Sequence, residues 1–80
     1  MTSEEEHYYQ EMFATMATEG WKYLLEDLKQ HKEELTIRIM KSELSEKDYQ
    51  FLRGIVAGID NLLNMKTLFE NVYEDLKKAH

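Results

Sequence analysis

Apolar positions along the 80-residue chain recur at steps of three and four from near its start to near its end. Phe13, Ala17, Trp21, Leu24, Leu28, His31, Leu35 and Ile39 form one series, widened by Tyr9, Met16 and Leu25. Such spacing lays a single apolar face along an α-helix. Thr2 or Ser3, followed by Glu5 and Glu6, supplies an N-cap with carboxylates in the first turn, so this helix is expected to run from about residue 4 to 41. The pattern dissolves at Ser42-Glu43-Leu44-Ser45. Ser45-Glu46-Lys47-Asp48 then has the form of a capping box and predicts a second helix from residue 46. Its series is Tyr49, Leu52, Val56, Ile59, Leu63, Lys66, Phe69, Tyr73 and Leu76, flanked by Ile55, Leu62 and Val72, with no breaker before residue 79. Lys77, Lys78 and His80 suit the negative end of that helix dipole.

Two helices of similar length joined by a short loop fold back on each other. The expected fold is therefore all-α, a single antiparallel hairpin of two long helices spanning residues 1–80. Pairing across the loop joins residues whose numbers sum to about 88. This sets Leu35 near Leu52, Leu28 near Ile59, Leu24 near Leu63, and Phe13–Met16 near Val72–Leu76. The alternative is a three-helix chain that breaks near Gly20, with Thr18 capping a new helix and residues 4–17 packing back across the hairpin.

Charge changes the picture more than composition does. The net charge is -6, and residues 1–27 carry all of that excess, with seven acids against Lys22 alone. Glu4, Glu5, Glu6 and Glu11 form an acidic end that repels phosphates and anionic lipid, so direct contact with nucleic acid or membrane is not expected. In the hairpin register the open end, residues 1–27 and 60–80, has eleven acids and four bases, while the loop end, residues 28–59, has five acids and six bases. The chain has no Cys and no Pro, which removes disulfides, thiolate metal sites and the strongest helix breaker. No apolar run reaches the roughly 20 residues of a membrane span, and the acidic start is unlike a signal peptide, so a soluble, cytoplasmic protein is expected.

Catalytic chemistry finds little to work with. His7, His31 and His80 are too far apart in sequence for a helical two-histidine zinc motif, and neither a phosphate loop nor a nucleophile elbow is present. No catalytic residue, metal ligand or cofactor is expected. His31, on or beside the apolar stripe, is expected to be packed or half-buried.

The more informative stretch is Gly54-Ile55-Val56-Ala57-Gly58. Each helix-interior Gly costs on the order of 0.8–1 kcal/mol against Ala, so two this close imply close approach of another backbone or ring. The opposing segment, Gln30–Glu34, is polar, which points to a second copy or another helix filling the site. Two helices also cannot cover Tyr8, Met12, Tyr23, Leu25, Ile37, Phe51, Leu62, Met65 and Leu68 between them, whereas a four-helix bundle of two hairpins could. The expected contact surface is Trp21, Leu24, Leu28, Gly54, Gly58, Ile59 and Leu63 at its centre, with Tyr9, Phe13, Phe69 and Tyr73 at the outer end.

Phe13-Ala14-Thr15, Glu19-Gly20-Trp21-Lys22, Leu25-Glu26-Asp27-Leu28, Phe51-Leu52-Arg53-Gly54 and Leu62-Leu63 together resemble small acidic helical accessory proteins of tailed bacteriophages. The likeness spans residues 8 to 76. It implies no catalytic residues. It implies an accessory component of a particle or a binder of host proteins, in the host cytoplasm or the virion; the open apolar residues add the expectation of a homo-oligomer (a dimer) or of packing on a larger protein partner. A phage inhibitor that offers its acidic end to a basic groove of a host nucleic-acid enzyme is the alternative.

Overall fold

The computed structural model describes residues 1–79 and is all-helical, with four helices: α1 (Ser3–Met16), α2 (Glu19–Lys41), α3 (Glu46–Leu63) and α4 (Met65–Lys78). His80, expected at the end of the second arm, lies outside the described residues. Each long helix foreseen from the spacing is divided in two. The chain runs out along α1 and α2 and returns along α3 and α4, with α2 packed on α3 and α1 on α4. Residues 4–17 do not fold back across the hairpin as in the three-helix alternative; they extend it.

Local chemistry explains both breaks. At the first, Thr18 is extended (φ -82°, ψ 157°) and its hydroxyl accepts from the Trp21 amide at 3.2 Å while donating to the Thr15 carbonyl at 2.8 Å. A threonine bonded on both sides in this way ends one helix and caps the next. Gly20 is not the cause. It is the second residue of α2, where an intrahelical partner for its amide is absent in any case. Removing the cap in Thr18→Ala is expected to lower stability by about 1 kcal/mol, read as a reduced midpoint in urea unfolding followed by circular dichroism.

The second break is a single residue and contradicts the expectation of an unbroken arm. Asn64 (φ -99°, ψ 6°) donates its backbone amide at 3.1 Å and its side-chain amide at 3.0 Å to the Asp60 carbonyl. Its own carbonyl accepts the first bond of α4, from the Leu68 amide. The apolar phase carries on across the break. The caps at Thr2 and Ser45 fall where the carboxylate-rich first turns placed them: the Glu5 and Asp48 amides each donate to the capping hydroxyl at 3.1 Å.

The molecule measures 52 × 28 × 15 Å, with a radius of gyration of 16.9 Å against about 12 Å for a compact chain of this length. Along its length each helix packs on one antiparallel neighbour alone, α2 on α3 and α1 on α4, so the helices form one layer. Among the described residues only Met16, Leu35, Leu52 and Ile59 are buried. No described helix is long and apolar enough to cross a membrane.

Candidate interaction surface

The hairpin interior is built from Leu35, Leu52 and Ile59, with Leu28, Ile39, Leu44, Ile55, Val56 and Leu63 packed around them. Of the residues expected to form the central contact surface, Leu28, Ile59 and Leu63 are thus turned into the chain's own core. Leu24 is not: 47% of it is exposed. His31, expected to be packed, is also exposed, and its neighbour Lys32 takes the inner position. Lys32 Nζ reaches Asp60 Oδ1 at 2.6 Å, which closes the polar middle of the hairpin with an ion pair worth about 0.2–1 kcal/mol at this exposure.

At the outer end Tyr9, Phe13, Phe69 and Tyr73, expected as part of a contact surface, pack on one another within the chain, joined by Tyr8. Tyr9 is the hub, with ring centroids 6.3 Å from Phe13, 5.9 Å from Phe69 and 5.6 Å from Tyr73. Phe13 stands edge-on to Tyr73 at 5.5 Å. The Tyr73 hydroxyl donates to Glu6 Oε1 at 2.8 Å, tying the two chain ends together. That bond, then loss of solvent and the negative charges of Glu6 and Glu74, raise the Tyr73 phenol above its ordinary 10.0.

A raised acid favours folding in its protonated form, so this contribution is complete below the unfolded value and is lost as pH climbs through the folded one. Stability is therefore expected to fall above pH about 10, and Tyr73→Phe is expected to remove this tyrosine's part of the fall. Urea midpoints of the two proteins at neutral and alkaline pH test it.

Glu6 is consequently not a free member of the acidic end. Glu5 accepts from the Thr2 hydroxyl at 3.1 Å, whereas Glu4 and Glu11, seven residues apart, are exposed on another side of α1. The four carboxylates diverge around the helix instead of forming one strip.

The two faces of the layer differ. One holds Lys32–Asp60 and the groove between Thr36 and Arg53; it also holds an open groove of about 470 Å³ where Trp21, Leu25 and Leu63 are rimmed by Lys22, Lys29, Lys66 and Glu26. Trp21 is half-buried beside Lys66 and Thr67, as the register anticipated. The other face carries an apolar stripe on α3 beside a polar flank of α2, with Arg38 and Asp48 around a groove next to Phe51 and His31 exposed on the same side. Phe51, Ile55, Gly58 and Leu62 run along α3 at spacings of four, three and four, about a quarter-turn from the Leu52–Ile59 core line. Helical spacing brings Leu24 of α2 and Leu68 and Val72 of α4 to the same side. Phe51 is 67% exposed and Leu68 55%, while a Cβ added at Gly54 or Gly58 would meet nothing within 4 Å. The first arm therefore does not use the glycine notch. Tyr8, Tyr23, Ile37, Phe51, Leu62 and Leu68 are exposed and Met12, Leu25 and Met65 partly open, as two helices alone would leave them.

No protein-family model, curated protein or solved structure matches the chain. Among the described residues no group of three His, Cys, Asp or Glu side chains could hold a metal ion.

Proposed function

We propose that this is a non-enzymatic interaction protein, a helical layer that works by covering its apolar face with another protein surface and self-associates into a bundle. The observation that carries this reading is the single-layer shape. Domains bury their apolar faces between at least two layers, and here one layer stands alone with Phe51, Leu62, Leu68 and Val72 open on one side. Aromatic and aliphatic anchors of this kind supply most of the energy at protein interfaces. The grooves are all shallow and open, which suits docking better than enclosing a reacting substrate.

The setting is a bacteriophage particle or its assembly, on the resemblance carried by Glu19-Gly20-Trp21-Lys22 and Phe51-Leu52-Arg53-Gly54. The rival reading, an acidic mimic of nucleic acid, has the net charge of -6 in its favour but requires aligned carboxylates, and Glu4, Glu5, Glu6 and Glu11 point in different directions.

Analytical ultracentrifugation at micromolar concentration tests the reading, with an assembly of two or more chains as the expected result. A monomer that binds no apolar-surface dye would overturn it. Recovery of the chain from purified particles would support the phage setting, and recovery on a host polymerase or nuclease, lost at high salt, would favour the mimic.

A further inference from the structure

We infer that the apolar stripe of α3 is covered by a second copy of this chain, docked antiparallel about a two-fold axis that passes between Ile55 and Gly58 of α3. Each Phe51 then meets the partner's Leu62, and each Ile55 sits over the partner's Gly58. The inference rests on the self-association reading above and gives it a geometry.

Four observations converge on it. The first is the spacing of the stripe. Phe51, Ile55, Gly58 and Leu62 are separated by four, three and four residues, an order that reads the same in reverse. An isologous contact requires that property, because residue i meets j while j meets i. Reversal also sets large against small, with the Ile55 side chain opposite a glycine. The second is the room at that glycine, where an added Cβ meets nothing within 4 Å. Nothing within the chain needs Gly58, although a helix-interior glycine is disfavoured; an approaching Ile55 does need it.

The third is area. The chain exposes 6339 Å², against roughly 5,100 Å² expected for a folded monomer of 9.6 kDa. The surplus follows from the elongated shape, which leaves the α3 stripe open to a partner surface. The fourth is charge. Parallel docking would set two open ends, each with eleven acids and four bases, side by side. Antiparallel docking sends them to opposite ends of the assembly, beyond the roughly 8 Å over which salt leaves charges to interact.

The absence of native cysteine makes the geometry directly testable. Phe51→Cys and Leu62→Cys both fall at exposed positions, 67% and 39% open, so the fold is retained. In the antiparallel pair the two copies of residue 51 are about 16 Å apart, too far for a disulfide, whereas residue 51 of one copy faces residue 62 of the other. In a glutathione redox buffer, a mixture of the two variants is expected to give a covalent dimer, and neither variant alone is expected to do so. Sedimentation of the unmodified protein accompanies the cross-linking.

Cross-linking of Phe51→Cys with itself would overturn the antiparallel arrangement. A dimer by sedimentation with no cross-link in the mixture would overturn this interface and leave self-association standing. A monomer would overturn both. Gly58→Leu supplies an independent readout: circular dichroism at dilution is expected to be unchanged while the dimer dissociation constant rises at least tenfold. Unchanged association of that variant would also overturn the inference.

Discussion

Ile59→Ala is expected to leave the chain largely unfolded at room temperature. Ile59 is the most buried side chain described, at 5% exposure, and it closes the cluster with Leu35 and Leu52 that joins α2 to α3. Removing a buried aliphatic side chain costs about 2–5 kcal/mol through lost transfer energy and the cavity left behind. A domain of this size has a total stability of about 4–12 kcal/mol, and a core of four buried side chains puts it toward the lower end. The loss is therefore comparable to the whole. Circular dichroism should show much of the helical signal gone, with the remainder lost in urea without a cooperative step. The control is His31→Ala. His31 stands on the exposed flank of the same helix pair, so a fall of more than about 0.5 kcal/mol there would mean that the core has been misplaced.

The contrast between Ile59 and His31 also shows which parts of the fold were legible from the residues. Periodicity located the core line of α3, because Leu52, Val56, Ile59 and Leu63 fall at helical spacing and all pack inward. The cap at Ser45 was equally plain, and the first was narrowed to Thr2 or Ser3, since a short hydroxyl followed by carboxylates satisfies amides that have no other partner. On α2 the position of His31 on the stripe was misleading. His31 and Lys32 lie on opposite flanks of the Leu28–Leu35 line, and the choice between them is made by Asp60 on the other arm, which draws Lys32 inward. No pattern within α2 contains that information.

The same limit applies at Asn64. A single bonded residue can interrupt a helix without shifting the apolar phase, so the series from Tyr49 to Leu76 reads as continuous even though two helices carry it. Thr18 was more visible because an extended threonine costs two residues of helix and leaves a hydroxyl cap. As for the candidate surface, the glycines and Phe51 were evident as exceptions to ordinary helix composition. That they face away from the first arm required the backbone, because a stripe a quarter-turn from the core can be either covered or open, depending on how many layers the fold has.

Tyr9→Ala is expected to release the outer end while leaving the α2–α3 pair intact. The two halves of the molecule are held by different means: aliphatic burial near the loop, and an aromatic cluster between α1 and α4. α1 has 14 residues, too few to persist alone in water. Its ties to α4 are the rings of Tyr8, Tyr9 and Phe13 and the Glu6–Tyr73 bond. Tyr9 is the ring that touches all the others, so its removal strips several aromatic pairs of about 0.5–1.5 kcal/mol each as well as its own buried area. Backbone amide exchange should therefore accelerate at least tenfold throughout α1 and in α4 beyond Phe69, while amides near Leu35, Leu52 and Ile59 keep their protection. Uniform loss of protection would mean instead that the halves unfold as one unit. If they separate, the outer end can open without disturbing the Phe51–Leu62 stripe of α3.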